Sequence, residues 1–430
     1  MLEADTPDFS QMLRILHTAD WHLGQSFHGY DRDYEHSLFL DWLLRTLTAR
    51  RIDALLIAGD IFDSVNPSAM GQRRFFDFLA LAHAALPALQ IVLTAGNHDA
   101  GARLEAPGVL LESLNITVVG IVSRDPASAI QYHRFLVPLK DADGHVAAIA
   151  IAVPFLRPAD VPEVPESSDF YLDGIRELYR HAIEEAQALR DREHPRAMLV
   201  ALGHCHMQDA AESRDSERRI VIGGAEALRA DTFPASLAYV ALGHLHKPQE
   251  LDGGRIRYCG SPIPLSFSEK DYEHCVVEVI LDGAGCASIE AVPIPKTAAL
   301  QRLPADKAGP IAEVLQLLAD AVFDAELPPE AHPFLEVRVL DDGPDPTRRR
   351  RIEEALVGKA VRLASIKLES PQRSGASPEA TAADVPTLAD LGSLDPEEIA
   401  LSAHRERYGT EPEPSVLAAL REILTTAPIQ

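Results

Sequence analysis

The chain has 430 residues, of which 46% are hydrophobic and 24% are charged, a composition typical of globular proteins with two or three domains. Its 65 acidic residues outnumber 40 basic residues, which gives a formal net charge of −25 at pH 7. This charge argues against a protein that binds nucleic acid unaided, because phosphates require basic groups or bound cations.

The first eleven residues, MLEADTPDFSQ, are acidic and lack an apolar core. They are predicted to be an N-terminal extension rather than a secretory signal, and no later apolar stretch has the length of a membrane span. The four cysteines contain no CxxC pair, which favours a reducing cytoplasm over an oxidising compartment. The sequence therefore predicts a cytoplasmic protein without a membrane segment.

Five short apolar runs, each ending in polar residues, follow one another along the chain. They are LRILHTADWHLG, IDALLIAGDIFD, LQIVLTAGNHDA, AMLVALGHCHM and LAYVALGHLHKP. Such runs are typical of strands buried on both faces. Between some of them, EHSLFLDWLLRTLTARR and AMGQRRFFDFLALAHAAL have the apolar spacing of helices. The alternation predicts an α/β fold with a mostly parallel sheet and right-handed crossovers.

The polar residues at these strand ends are predicted to converge, because such sheets bind ligands beyond the carboxyl ends of their strands. They offer carboxylate, amide and imidazole donors, a set that suits Mn, Fe or Zn, and Mg less well. The donors are too many for one tetrahedral ion and fit two ions bridged by one carboxylate. The converging residues are Asp20, His22, Asp60, Asn97, His98, His204, His244 and His246.

Each motif also has a plain structural interpretation when it is taken alone. GDIFD is often a turn, and GNHD at residues 96–99 consists largely of turn formers. A single histidine after a strand is more often an interior or loop residue than a metal ligand. The occurrence of all five motifs at strand ends, in this order, favours a metal centre over five unrelated turns.

The ordered motifs D-x-H, G-D-x-x-D, G-N-H-D, G-H and G-H-x-H resemble those of the calcineurin-like metallophosphoesterases. ILHTADWHLGQ, AGDIFD, AGNHD, YVALGHLHKPQ and especially RYCGSPIPLSFSE are similar to the SbcD family of bacterial nuclease subunits. The resemblance is strong over residues 13–281 and looser beyond them. It implies a calcineurin-like metallophosphoesterase fold of layered mixed sheets flanked by helices, with a small α+β cap domain and C-terminal partner-binding helices.

The resemblance also implies two Mn2+ ions per subunit, with Mg2+ as the less suitable metal, and DNA as the substrate. One ion would be held by Asp20, His22, Asp60 and His246, and the other by Asp60, Asn97, His204 and His244. The bridge is then Asp60, in agreement with the number of donors. The implied activities are a 3′-to-5′ exonuclease on duplex ends and an endonuclease on single strands or hairpins.

The residues beside the ligands are assigned further roles. His98 is expected to face the scissile phosphate and to protonate the leaving 3′-oxygen. Asp99 is expected to orient the His98 imidazole, and its alternative is a turn carboxylate that bonds its own backbone. Asp63 is either an acid behind the ligands or a loop cap. His206, in GHCH, is the alternative to His204 as the metal ligand of this motif, and the family pattern favours His204.

After the last motif the sequence predicts a second domain at residues 285–370, following a nuclease domain at residues 12–284. IAEVLQLLADAVF and TRRRRIEEALVG predict helices, while FLEVRVL and AVRLASIKLE predict strands, which gives an αβαβ unit. By resemblance this unit is a cap that helps to select the DNA. Its arginines at 348–351 either contact phosphate or form a solvated helix face paired with Glu353 and Glu354.

Residues 371–386, rich in Pro, Ser, Ala and Gly, are predicted to be a flexible linker. Residues 387–430 are predicted to form two amphipathic helices, which bind a partner or pack on the chain's own core. By resemblance the partner is the coiled coil of an SbcC-type ABC ATPase, which itself binds ATP. The resemblance further implies a homodimer within a heterotetramer, associated with the nucleoid in the cytoplasm, and RRFFDFLALAHAAL offers an apolar helical interface.

The alternative within the same fold is a metallophosphatase or phosphodiesterase that acts on small molecules or phosphoproteins. Protein phosphatases of this superfamily carry GDxxDRG and GNHE, whereas this chain has GDIFDSV and GNHD. GSPIPLSF, the cap-like unit and the partner helices favour the nuclease, which by resemblance acts in double-strand-break and hairpin processing. A scaffold without activity is disfavoured because every ligand position holds a usable residue.

Overall fold

The computed structural model describes most of the first 370 residues of the chain. The described residues are 12–165, 167, 169–213, 227–283, 285–370, 401, 404, 412, 416 and 417. The chain divides into two units, Met1–Pro371 and Gln372–Gln430, and nearly all described residues belong to the first. The predicted extension, linker and partner-binding helices (1–11, 371–386 and 387–430) lie outside the described residues, apart from the five isolated positions.

The strands and helices are numbered separately along the chain. The strands are β1 (Leu13–Thr18), β2 (Ser26–Phe27), β3 (Tyr30–Asp31), β4 (Ala54–Ala58), β5 (Gln90–Thr94), β6 (Ile116–Val119), β7 (Leu136–Lys140), β8 (Val146–Ala152), β9 (Met198–His204), β10 (Leu237–Gly243), β11 (Gln249–Leu251), β12 (Ile256–Tyr258), β13 (Cys275–Asp282), β14 (Gly285–Pro293), β15 (Leu300–Leu303), β16 (Phe334–Leu340) and β17 (Arg362–Glu369). The helices are α1 (Asp33–Arg50), α2 (Ala69–Ala85), α3 (Gly101–Glu105), α4 (Gly108–Glu112), α5 (Phe170–Glu193), α6 (Ile311–Asp320) and α7 (Arg348–Leu356).

Two six-stranded sheets make up the larger part of the structure, with strand orders β14-β13-β1-β4-β5-β6 and β11-β12-β10-β9-β8-β7. In the first sheet β1, β4, β5 and β6 run parallel, and β13 joins β1 in antiparallel fashion. In the second sheet β8, β9, β10 and β12 run parallel, while β7 and β11 are antiparallel edge strands. The prediction of layered mixed sheets flanked by helices is confirmed.

The inner strands β1, β4 and β5 of the first sheet are buried on both faces, to which their successive side chains point in turn. Leu56 of β4 packs with the second sheet, whereas its neighbours Leu55 and Ile57 pack with Phe39 of α1 and Phe75 of α2. Burial of one such side chain contributes about 1.5–3 kcal/mol. The continuous apolar runs seen in the sequence are the result of this double burial.

The two helices predicted between the first three motifs form as α1 and α2. The side chain of Ser68 caps α2 by accepting a hydrogen bond from the Gly71 amide. The α1 helix ends at Arg50, and the left-handed backbone of the next residue, Arg51, turns the chain toward β4. Among the helices of the described residues, none is long and apolar enough to cross a membrane.

A three-stranded unit follows, in which β15, β16 and β17 are parallel and α6 and α7 connect them. Its core joins Val314 of α6, Val337 of β16 and Ile352 of α7. The predicted αβαβ pattern therefore lacked its first strand, β15, which is only four residues long.

The predicted boundary after residue 284 is wrong. The strand β14 pairs with the whole length of β13, so residues 285–293 complete the edge of the first sheet rather than the second domain. Its sequence, GCASIEAVP, is mostly exposed in this edge strand, with Val292 as its buried residue, so it lacks the continuous apolar run of the inner strands.

Candidate metal centre

The carboxyl ends of β1, β4 and β5 in one sheet and of β9 and β10 in the other meet at one cluster of polar side chains. The register of the parallel pairs brings these ends level with one another within each sheet. The structure brings together all of the residues predicted to converge, namely Asp20, His22, Asp60, Asn97, His98, His204, His244 and His246.

The first half of the cluster contains Asp20, His22 and His246. One donor atom of each lies within 4.8 Å of the others, and all three side chains are buried. The Nε2 atom of His22 lies 3.6 Å from Oδ2 of Asp60, so the cluster continues without a gap into its second half.

The second half is formed by Asp60, Asn97, His204 and His244. Asn97 Oδ1 lies 3.0 Å from Nε2 of His204 and 3.0 Å from Nδ1 of His244. His204 Nε2 also lies 3.4 Å from Asp60 Oδ2, the oxygen that faces His22. Asp60 is therefore the carboxylate common to both halves, which is the geometry that a bridging ligand requires.

Four of these residues have a left-handed backbone, which L-amino acids other than glycine seldom adopt. The φ angles are 54° at Asp20, 47° at His22, 49° at Asp60 and 98° at His244. Each such residue costs about 1–2 kcal/mol, and residues of this kind collect at functional sites. The sharp turns let side chains close together in sequence face one cluster.

Two glycines of the motifs are required by close approach. A Cβ at Gly59 would lie 2.3 Å from Nδ1 of His204, and one at Gly96 would lie 2.1 Å from Oδ1 of Asp60. No side chain of any other residue fits at such distances. The glycines in GD and GN thus provide space for His204 and Asp60, two of the candidate donors.

Three histidines are oriented from behind through Nδ1, which leaves Nε2 of each for a metal. The partner atoms are Asp63 Oδ1 for His22 at 3.3 Å, the Ala58 carbonyl for His204 at 2.9 Å, and Glu269 Oε1 for His246 at 3.1 Å. Of these partners, the sequence leaves two roles open for Asp63 and does not predict Glu269. The available signal for Glu269 was its place at the end of RYCGSPIPLSFSE.

The expected role of Asp99 as the orienter of His98 is wrong. Its carboxylate accepts hydrogen bonds from the backbone amides of Gly96 at 2.9 Å, Ile61 at 3.1 Å and Phe62 at 3.0 Å. The reason is its burial at 1% exposure between the two loops, where backbone amides are its nearest donors. The alternative, a carboxylate that organises the turn, describes Asp99.

His98 is oriented by the backbone of a neighbouring loop. Its Nδ1–H donates to the carbonyl oxygen of Asp63 at 2.8 Å, and its amide donates to Oδ1 of Asp60 at 2.8 Å. The His98 ring lies 4.8 Å from that of His22, between ring centroids. Asp63 therefore fixes His22 with its side chain and His98 with its main chain.

The electrostatics of the cluster reflect buried charges in close contact. Burial raises the pKa of Asp20 to about 7. Burial also acts to raise the pKa of Asp60, but His204 and the neighbouring histidines outweigh it and hold that pKa well below its usual range. Burial lowers the pKa of His204, yet the charge of Asp60 outweighs it and raises the pKa to about 9. A proton on His204 thus compensates the buried carboxylate.

The donor set fits two divalent cations. Two carboxylates, Asp20 and Asp60, are almost completely buried, at 0% and 2% exposure, a cost that bound cations would offset. Among the described residues, the buried Nε2 of His22 has no hydrogen-bond partner, as expected of an atom reserved for a metal. The mixed oxygen and nitrogen donors are of the kinds that divalent metal ions take in proteins.

The remaining candidates lie outside the cluster of donors. His206, the rival of His204, has its Nε2 3.4 Å from Oε1 of Glu212. The four arginines of α7 are each paired with a carboxylate, through Arg348–Asp342, Arg349–Glu353, Arg350–Glu354 and Arg351–Asp345. The paired helix face, rather than a free basic patch, is what the structure shows.

A paired cluster of metal donors at the ends of two packed mixed sheets defines a metal-dependent phosphoesterase. The family model described as Calcineurin-like phosphoesterase matches residues 13–248, and the one described as Type 5 capsule protein repressor C-terminal domain matches residues 296–408. The chain belongs to the calcineurin-like phosphoesterase family and, within it, to the SbcD family of nuclease subunits.

The relatives that carry this second assignment are named as the SbcD component of the nuclease SbcCD. The Rhodobacter capsulatus protein is 42% identical over 85% of this chain and 90% of its own length. The Escherichia coli K12 protein is 35% identical over 71% of this chain and 74% of its own length. The Bacillus subtilis protein is 37% identical over 62% of this chain and 66% of its own length. The resemblance inferred from the motifs is confirmed, and these relatives do not favour the small-molecule phosphatase.

Proposed function

We propose that the chain is the nuclease subunit of a DNA-processing complex and that it cleaves phosphodiester bonds with two Mn2+ ions at the metal centre. The observation that carries the proposal is the position of Asp60, whose Oδ2 lies 3.6 Å from His22 Nε2 and 3.4 Å from His204 Nε2. One buried carboxylate oxygen between two groups of donors is the arrangement of a two-metal hydrolase.

The proposed ligands follow the two halves of the cluster. One ion would be held by Asp20, His22, Asp60 and His246, and the other by Asp60, Asn97, His204 and His244. When bound, the ions supply hydroxide near neutral pH and neutralise charge on the phosphoryl oxygens. The donors are held rigidly by the left-handed turns and by the partners of the three Nδ1 atoms, so little reorganisation accompanies the reaction.

His98 is the proposed proton donor to the leaving 3′-oxygen. Its Nδ1–H is engaged by the Asp63 carbonyl, which leaves Nε2 as the nitrogen that carries the second proton. In this role Asp63 orients the acid, and Asp99 preserves the turn that carries it. Addition of hydroxide to phosphorus and loss of the bond to the 3′-oxygen leave a 5′-phosphate, and the proton of His98 completes the free 3′-hydroxyl.

The proposal also accommodates the acidic composition of the chain. The net charge of −25 opposes association with DNA, but two divalent cations contribute four positive charges where the phosphate reacts. The arginines of α7 are paired with carboxylates, so DNA affinity depends on the metals and on partner surfaces more than on this helix.

Further elements of the proposal come from the relatives, whose name describes one component of a nuclease with two kinds of subunit. The partner is an SbcC-type ABC ATPase, bound by residues 387–430 after the linker at residues 371–386. The three-stranded unit is the cap that selects DNA, and two copies of the chain form a homodimer within a heterotetramer. The complex acts on breaks and hairpins in the nucleoid.

The proposal is tested by cleavage of end-labelled duplex and hairpin DNA with added Mn2+ or Mg2+, alongside a small phosphodiester as competing substrate. We expect 3′-to-5′ degradation of the duplex and opening of the hairpin, with Mn2+ more effective than Mg2+. Hydrolysis of the small phosphodiester with no cleavage of either DNA would instead support a small-molecule phosphodiesterase.

A further inference from the structure

The loop at residues 260–269 lies directly on the backbone of the proposed ligand His246. The amide of Ser261 donates to the His246 carbonyl at 3.2 Å. Gly260 has a φ of +76°, and a Cβ at that position would lie 2.4 Å from the same carbonyl oxygen. The loop can approach His246 this closely only because residue 260 is glycine.

Glu269, at the end of this loop, holds the His246 side chain. Its Oε1 accepts from His246 Nδ1 at 3.1 Å, and its Oε2 accepts from the Leu265 amide at 2.8 Å and from Ser261 Oγ at 3.3 Å. Glu269 is completely buried. A carboxylate behind an imidazole fixes its tautomer and ring orientation, so the geometry of His246 depends on the fold of this loop.

Arg32 ties the same loop to the start of α1. Its Nη1 donates to the Pro264 carbonyl at 2.9 Å, next to the Leu265 amide that bonds Glu269. Its other nitrogens form a bidentate pair with Glu35, at 2.5 Å and 2.7 Å. Arg32 has no exposed surface, so its position is fixed by these partners.

Arg32 also contacts the three-stranded unit through aromatic rings. Its guanidinium lies 5.1 Å from the ring centroid of Phe27 and 5.3 Å from that of Phe334, the first residue of β16. Phe267 of the loop packs 5.4 Å from Phe27, and Phe27 packs 4.9 Å from Phe334. We call Phe27, Phe267, Phe334 and Arg32 the aromatic junction.

From these contacts we propose that Glu269 is a positioning residue for His246, and that docking of the three-stranded unit at the aromatic junction determines how firmly Glu269 holds it. Metal binding and docking of this unit are then coupled, and the coupling is reciprocal. This inference rests on the proposed function, since it assigns His246 a metal. It explains why the loop at residues 260–269, which supplies none of the proposed ligands, contacts both His246 and the three-stranded unit.

A purely structural junction would behave differently. Loss of the Phe334 ring would lower the stability of the three-stranded unit, since buried aromatic contacts contribute about 0.5–1.5 kcal/mol beyond their area, but it would leave the affinity for metal unchanged. Metal affinity, measured separately from stability, therefore distinguishes a coupled junction from a structural one.

The test is calorimetric titration of the full chain with Mn2+ alone. The variants are Glu269→Gln, Phe334→Leu and their combination. The control is Phe323→Leu, the same substitution in the same unit, at a partly buried residue that packs against the unit's own core. We expect Glu269→Gln to weaken affinity about 10- to 100-fold, Phe334→Leu to weaken it severalfold, and Phe323→Leu to leave it unchanged. Because Phe334 acts through Glu269, the double variant should lose no more than Glu269→Gln alone.

Each other outcome has a definite meaning. Normal Mn2+ binding by Glu269→Gln contradicts its positioning role, and normal binding by Phe334→Leu or a double variant with additive loss contradicts the coupling. A wild-type chain that binds no Mn2+ contradicts the proposed function and this inference together. If a variant fails to fold, amide exchange of the wild-type chain tests the same coupling. Added Mn2+ should slow amide exchange at residues 260–269 and in β16, and unchanged exchange in β16 contradicts the coupling.

Discussion

Oδ2 of Asp60 lies 3.4 Å from Nε2 of His204, although Asp60 follows β4 of the first sheet and His204 ends β9 of the second. This contact crosses the interface between the sheets at their carboxyl ends. It requires the strands to approach closely, which Gly59 and Gly96 permit. The metal centre is therefore built into the packing of the two sheets.

The first prediction concerns Gly96. A Cβ here would lie 2.1 Å from Asp60 Oδ1, so Gly96→Ala should displace Asp60 and reduce Mn2+ affinity at least about 100-fold. Gly108→Ala is the matched control, since a Cβ at Gly108 meets nothing within 4 Å. Equilibrium dialysis with Mn2+ measures both variants, and equal affinity of the two would show that the close approach is unimportant.

A second prediction separates His98 from the ligands. His98→Gln should lower the rate of DNA cleavage about 10²- to 10⁴-fold, the usual contribution of a general acid, while Mn2+ affinity changes little. His133→Gln, at an exposed histidine far from the centre in sequence, should cleave at the wild-type rate. Single-turnover cleavage of labelled duplex DNA is the measurement. A His98→Gln variant as fast as wild type would remove the assigned role.

For Asp99 we expect an effect on stability as well as on activity. Asp99→Ala removes the acceptor for three buried amides, and hydrogen bonds to a charged group contribute about 1.5–3 kcal/mol each. The free energy of unfolding should fall by roughly 2–4 kcal/mol, because the bonds are not additive. Urea unfolding measures this value. An Asp99→Ala variant with wild-type stability and slow cleavage would instead support a role for Asp99 in orienting His98.

Two histidines outside the centre predict the acid sensitivity of the fold. Burial lowers the pKa of His17 and of His36 from 6.5 to about 3. The folded protein therefore binds fewer protons than the unfolded chain between these values. As far as these two groups are concerned, the free energy of unfolding is greatest above about pH 6.5, and it falls by about 1.4 kcal/mol per pH unit for each histidine as the pH decreases toward 3.

The measurement for this prediction is urea unfolding of wild type and His36→Gln at several pH values below 7. The variant has one fewer titrating group, so its stability should depend less steeply on pH. Parallel profiles for the two proteins would show that His36 keeps its usual pKa in the folded state.

The sequence predicted that these donor residues converge because the physical basis of the cluster is local to each motif. Every donor follows directly on an apolar run, and strands of one sheet end on one edge, so Asp20, Asp60 and His204 had to meet once the sheets were packed. The motifs GDIFD and GNHD also contain Gly59 and Gly96, the two glycines that allow His204 and Asp60 to approach closely.

Other features could not be predicted because they depend on packing between distant segments. Whether Asp99 contacts His98 or the amides of Ile61 and Phe62 is decided by how two loops meet, which neither loop encodes. The contact of Glu269 with His246 arises in the same way. The strand β14 was missed because its exposed face breaks the apolar pattern on which strand prediction depends.

The central claim is a pair of metals that share Asp60. It is tested most directly by counting the Mn2+ ions bound per chain at saturation, for wild type and for Asp60→Asn. Two ions for wild type and at most one tightly bound ion for Asp60→Asn are expected, because the variant loses the charge that both ions share. One ion or none for wild type, or two equally tight ions for Asp60→Asn, would contradict a centre bridged by Asp60.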